Sequence, residues 1–264
     1  MKQLTIFTIA TGRYLNYWFN LVESANKFLD KQLNVQWILL TDQQEKVQEN
    51  RAVISDLNLL IKPIENLDWP LPTILRYEFI ENFKSSIAGD HIMYLDSDML
   101  FIKNVTKSYL LSQLSSYDIA FTNHPGFYRP NGFQLFQFYL RNPIYLIKDL
   151  RLYIGYGGLG TWERNKQSNA YVGRRFRSKY VCGGVWFGKT PSIIKMCIEL
   201  SSRVKIDFEN QIVAVHHDES HLNWFASNYS FDSIKPNLCF DPTYPQLRNI
   251  DGLILAVDKG ENAR

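Results

Sequence analysis

A chain of 264 residues, 45% apolar and 21% charged, can bury one large core or two small ones, and this composition excludes a disordered, collagenous or extended coiled-coil protein. Its 29 Lys and Arg against 26 Asp and Glu leave a net charge of +3, too small an excess to imply nucleic-acid binding by bulk electrostatics. Three widely spaced cysteines, Cys182, Cys197 and Cys239, support neither a disulfide framework nor a C-x-x-C metal knuckle and fit a reducing compartment.

The first ten residues alternate polar with apolar instead of forming a signal-peptide core, and no apolar run approaches the roughly 18 residues that span a bilayer. The expectation is a soluble, cytoplasmic protein without a transmembrane segment. Residues 4–9 read as an alternating strand. A helical pattern follows in which Trp18, Leu21, Val22, Ala25, Phe28 and Leu29 share one face. Further strands are predicted over 35–40, 57–61 and 91–95. Pro63, Pro70 and Pro72 mark a loop ahead of a helix expected over about 73–83. Alternating strands and helices with acidic residues at strand ends predict an α/β sheet, whose ligands sit outside the carboxyl ends of its strands. Residues 129–160 turn rich in Phe, Tyr, Leu and Ile and give no clear secondary structure. Arg174, Arg175, Arg177 and Lys179 then cluster before a glycine-containing apolar stretch over 181–188.

Asp96 and Asp98 follow the apolar strand 91–95, and extended geometry would turn both side chains to one face. Two carboxylates about 5–6 Å apart repel by roughly 3 kcal/mol at an effective dielectric near 20, so a cation is expected between them. Oxygen ligands in low number suit Mn²⁺ or Mg²⁺, the remaining positions being filled by water and phosphate oxygens. The same D-x-D spacing also arises by chance. A second constellation, His216 to Trp224, is dense in ionisable groups. On a helix Glu219, Leu222 and Asn223 share one face and His217 and His221 another. The zinc-protease pattern H-E-x-x-H is not met, because Asp218 follows His217. Glu219 is a candidate nucleophile or general base, against a capped, solvated helix start with structural histidines.

Taken together, His124-Pro-Gly-Phe-Tyr128, Leu95-Asp-Ser-Asp-Met99, Thr161-Trp-Glu-Arg164 with Ala170 and Tyr171, and His217-Asp-Glu-Ser-His-Leu-Asn223 resemble the family 6 glycosyltransferases, the group containing the blood-group A and B transferases and the α-1,3-galactosyltransferase. The resemblance runs from about residue 4 to 264 without the animal enzymes' membrane anchor, as in a bacterial or phage member. Roughly 25 residues between Tyr128 and Thr161 have no counterpart in those enzymes.

The resemblance implies a GT-A type α/β fold in one domain, residues 1–264. Its Rossmann-like nucleotide-sugar and metal half spans about 1–123 and its acceptor and catalytic half about 124–264, with an insertion near 129–160. It implies a retaining transfer of GalNAc or Gal from a UDP-sugar to an oligosaccharide acceptor in α-1,3 linkage, with Mn²⁺ bound by Asp96 and Asp98 and Mg²⁺ as substitute. Donor contacts fall on Phe7, Thr8, Ile9, Tyr14, Arg76, Asp96, Ser97, Cys182, Gly183, Gly184 and Asp218, with Lys259 and Arg264 as tail cations on the diphosphate. Acceptor contacts fall on His124, Thr161, His216 and Glu219, and Glu219 is the catalytic carboxylate, as nucleophile or as electrostatic partner of the sugar. Gly184 leaves room that would favour GalNAc. Competing expectations are a UDP-sugar hydrolase using the same site, a non-catalytic carbohydrate-binding protein, and a zinc hydrolase built on His217 and His221. No nucleic-acid partner is expected.

Overall fold

The computed structural model describes residues 1–257. In chain order the elements are β1 (Gln3–Ile9), α1 (Tyr14–Phe28), β2 (Asn34–Thr41), α2 (Gln44–Glu49), α3 (Arg51–Ile54), β3 (Asn58–Pro63), α4 (Leu71–Ile74), α5 (Arg76–Asn82), β4 (His91–Leu95) and β5 (Met99–Phe101). They continue with α6 (Lys107–Ser112), β6 (Ile119–Asn123), α7 (Phe133–Arg141), α8 (Pro143–Tyr156), β7 (Val181–Lys189), α9 (Thr190–Glu209), α10 (His217–Asn228), β8 (Asp232–Ile234) and β9 (Ile254–Ala256). Among the described residues no helix is long and apolar enough to cross a membrane.

Seven strands form one mixed, mostly parallel sheet in the order β3-β2-β1-β4-β7-β6-β8. β1 pairs in parallel with β2 and β4, and β7 runs antiparallel between β4 and β6. The alternation of β1 sorts its side chains to the two faces. Leu4 and Ile6 pack with Leu15, Trp18, Leu21 and Val22 of α1, while Phe7 and Ile9 pack on the other face with Tyr77 and Ile80 of α5, Met196 and Leu200 of α9, and Leu222 and Phe225 of α10. Apolar cover on both faces is what a sheet of this kind requires, and it bears out the α/β class.

Two local expectations are corrected. The helix predicted over 73–83 is two pieces, because Leu75 leaves helical geometry at φ −82°, ψ 1° and separates α4 from α5. Residues 96–98 do not continue β4 but form a turn into β5, so extended geometry does not place Asp96 and Asp98. The aromatic stretch 129–160, unassigned from sequence, is the α7–α8 hairpin, and Gly157, with φ +80°, ends α8 in the left-handed conformation that glycine adopts without strain.

Candidate active site

A cleft of about 270 Å³ opens at the carboxyl ends of β1 and β4, where an α/β sheet binds its ligands. Ile9, Tyr14, Arg76, Asp96, Ser97 and Asp98 of the predicted set line it. Phe7 and Thr8 do not; both are fully buried within β1. Thr11, Gly12, Arg13, Trp69 and Tyr94 also line the cleft and were not predicted. Gly12 turns the chain there with φ +53°, and its N–H donates to Asp42 at 3.0 Å, holding the loop after β1 to the loop after β2.

Arg76 is the hub. The residue is 2% exposed, and its guanidinium lies 3.3 Å from Asp96 and 3.2 Å from Asp218 and donates to the Gly183 carbonyl at 2.8 Å. It also sits 4.5 Å from the centre of the Tyr94 ring, whose hydroxyl donates to Asp96 at 3.0 Å. Burial would push this guanidinium down, but Asp218, Tyr94 and Asp96 outweigh it and hold its pKa above the ordinary value. Burial pushes Asp218 up to about 7 against the pull of Arg76. One cation thus joins the acidic turn after β4 to the first turn of α10.

Glu219 stands on that turn of α10. The Gly183 N–H donates to its Oε2 at 2.9 Å, and Tyr180 supplies a second hydrogen bond. Burial raises its carboxyl pKa while those two donors oppose the rise. Asn223, one turn further along, exchanges both hydrogen bonds with the Val181 backbone, accepting at 2.8 Å and donating at 2.9 Å. That side chain clamps α10 to β7 and so sets Glu219 against Gly183. A Cβ on Gly184 would stand 2.8 Å from both Asp96 Oδ2 and Met99 Cε, so the room this glycine leaves is filled by the acidic turn itself. Cys182 and Cys239 are buried free thiols with sulfurs 3.2 Å apart.

Two of the predicted acceptor residues, Thr161 and His124, gather at Tyr180. Thr161 Oγ1 is 3.4 Å from the Tyr180 hydroxyl, and the His124 ring is 5.7 Å from the Tyr180 ring. Burial lowers His124 to about 4, and its Nδ1 accepts the Gly126 N–H at 3.1 Å. Tyr180 therefore connects both to the carboxylate, a role its place before a glycine-rich strand did not signal. His216 is the residue before α10, and its N–H donates to Ser220 Oγ at 2.9 Å. Glu163 is structural: it accepts the N–H groups of Arg164, Asn165 and Val215, each at 2.7 Å, and fixes the 161–165 loop to the approach to α10. The two histidines of the zinc alternative make separate contacts, His221 with Asp207 at 3.5 Å and His217 edge-on to Trp69 at 4.6 Å. No group of three His, Cys, Asp or Glu suited to a metal ion occurs among the described residues.

Lys259 and Arg264 lie outside the described residues. Val257 ends them, and its N–H donates to the Asp98 carbonyl at 2.9 Å, so the chain leaves β9 beside the acidic turn.

Residues 156–263 match the model of Glycosyltransferase family 6. The chain is 22% identical over 224 residues to the O-antigen biosynthesis glycosyltransferase WbnI of Escherichia coli, covering 84% of this chain and 81% of that protein. It is 25% identical to histo-blood group ABO system transferase 1 of Rattus norvegicus over 91% of this chain and 59% of the relative. It is 24% identical to globoside alpha-1,3-N-acetylgalactosaminyltransferase 1 of Homo sapiens over 92% and 62%. The chain thus spans about three fifths of the two mammalian proteins. Family match, co-linear motifs and a mixed α/β sheet agree: this chain is similar to the family 6 glycosyltransferases over residues 156–263 and to individual glycosyltransferases over most of its length, and its sheet is consistent with a GT-A-like architecture.

Proposed function

We propose that this chain is a retaining glycosyltransferase that moves GalNAc or Gal from a UDP-sugar to a glycan acceptor in α-1,3 linkage. The carrying observation is Arg76, which joins the Asp96 turn of the cleft to the Asp218–Glu219 turn within one buried polar cluster. Every residue lining the cleft lies between Ile9 and Asp98, which supports a donor half over about 1–123. His124, Thr161 and Glu219 around Tyr180 support an acceptor half beyond it. The name of the human relative, a globoside alpha-1,3-N-acetylgalactosaminyltransferase, supports the linkage and GalNAc as donor.

Asp96 and Asp98, two carboxylates on the wall of that cleft, suit a hard divalent cation. Mn²⁺ or Mg²⁺ held there would neutralise charge on a departing diphosphate. Arg76 adds a fixed positive charge that needs no reorganisation as that charge develops. Glu219 Oε2 is oriented by the Gly183 N–H, which presents the carboxylate to the anomeric carbon as nucleophile or as electrostatic partner. The test is UDP release with UDP-GalNAc and UDP-Gal, in Mn²⁺ and in EDTA, for the unmodified protein, Asp98→Asn and Glu219→Gln. Loss of activity in EDTA and in both variants is expected, with Glu219→Gln reduced on the order of 10²–10³-fold. Activity surviving in all three proteins and in EDTA would refute the mechanism.

A further inference from the structure

The α7–α8 hairpin presents an apolar face that none of the described residues covers. Of the eighteen large apolar side chains exposed among the described residues, nine lie between 133 and 154, including Phe133 at 71% and Ile154 at 73%. Within the two helices only Phe138 and Asp149 are buried. The hairpin is nonetheless held in place on its inner side. Arg129 donates to both oxygens of Asp149 at 2.6 Å, and the Tyr139 hydroxyl adds a third bond at 2.8 Å.

Charge is distributed with the same asymmetry. Residues 129–179 carry ten Lys and Arg against two Asp and Glu, whereas the rest of the chain carries 19 against 24. Both acids of the segment are buried, Asp149 against Arg129 and Glu163 against backbone N–H groups, so the exposed charge is cationic throughout. The basic loop also borders the apolar face: Arg174 donates to the Tyr153 and Ile154 carbonyls at 2.8 and 3.0 Å at the end of α8. Bulky apolar side chains rimmed by exposed Lys and Arg are the composition of an interfacial helix that beds into the headgroup region of an anionic bilayer.

We propose that the α7–α8 hairpin and the 164–179 loop seat this protein on an anionic lipid surface. The surface lies next to the candidate active site, because Leu135, Tyr139 and Tyr153 of the hairpin share a cavity of about 480 Å³ with Tyr180, the partner of Glu219. Acceptors bound from the membrane side would meet that cavity first.

The test is co-sedimentation with vesicles of phosphatidylcholine with and without phosphatidylglycerol. Two double variants are compared with the unmodified protein: Phe136→Glu with Ile147→Glu, and Arg151→Glu with Arg175→Glu. The expected result is binding to the anionic vesicles that weakens with salt, falls at least about tenfold in either variant, and slows hydrogen exchange over 133–156. The charge variant acts on exposed side chains alone and keeps the test valid if the apolar variant misfolds, which thermal melting would reveal. Protein that stays in the supernatant with anionic vesicles at low salt would overturn the proposal. So would self-association abolished by Phe136→Glu with Ile147→Glu in the absence of vesicle binding, which assigns the face to a second copy. Vesicle binding is read without any sugar substrate, so failure of the glycosyl-transfer reading leaves this outcome unchanged.

Discussion

Arg76 carries a full charge where almost no water reaches it, and two carboxylates, two carbonyls and a ring satisfy it. Removing one partner of such a buried cluster leaves the others uncompensated, so Arg76→Met is expected to lose about 3–5 kcal/mol in denaturant unfolding and to abolish donor binding. Arg76→Lys keeps the charge but not the planar fork that reaches Asp96, Asp218 and Gly183 together, and UDP affinity measured by calorimetry should fall with it. His124 contributes to the pH dependence, in the same direction as His221, which burial also lowers to about 4, and against Asp218, which burial raises to about 7. The folded pKa of His124, about 4, lies below the ordinary 6.5, so the unfolded chain binds more protons there between those values and the contribution of His124 to stability falls as pH drops from about 6.5 toward 4. His124→Gln should remove that contribution from the slope of melting temperature against pH over this window, and an unchanged slope would assign the dependence to the other groups. At this scale the sequence was informative wherever the chemistry needs a rare side chain. Asp96 and Asp98 stand out as acids at the end of an apolar run, and Glu219 as an acid in a stretch dense in ionisable groups. Tyr180 and Tyr94 did not, because a tyrosine in or beside a strand is usual core composition, and only the folded chain brings their hydroxyls to Glu219 and Asp96.

The clamp between α10 and β7 shows what an element owes to one side chain. Asn223 completes both backbone bonds of Val181, so Asn223→Leu leaves a buried N–H and C=O unmatched and should cost about 2–3 kcal/mol. Because the same clamp aligns Glu219 with Gly183, kcat should fall more than melting temperature alone accounts for, and kcat unchanged in folded protein would remove Asn223 from that role. Gly184→Ala puts a methyl group against Asp96 and Met99, and metal-dependent UDP release should fall for both donors alike. A selective loss of UDP-GalNAc use would instead favour the volume argument made from the sequence. Strands and α1 were legible because their periodicity is backed by burial on one or both faces. The hairpin was not. Its helices bury almost nothing, so the apolar face they present turns outward and marks no core-facing side. The D-x-D turn was misplaced because the chain leaves the sheet one residue later: the Asp96 N–H still bonds the Gly184 carbonyl in register with β7, and residues 97–98 then turn.

Across the whole molecule, the two halves expected from the sequence share one sheet. β7 lies between β4 and β6, so the strand that carries Gly183 and Gly184 also completes the sheet begun by β1 to β4. The α/β class and the positions of the early strands could be read from alternating patterns; the insertion of a late strand into the sheet could not, because strand neighbours far apart in the chain leave no local trace. The insertion of β7 has a practical corollary for dissection. A fragment cut between β6 and α7 would retain β4 but lose its antiparallel neighbour, baring an apolar edge that recruits other chains. Expressed alone, such pieces should precipitate; co-expressed, they should reassemble into a split enzyme whose recovered turnover reports how well β7 finds its slot.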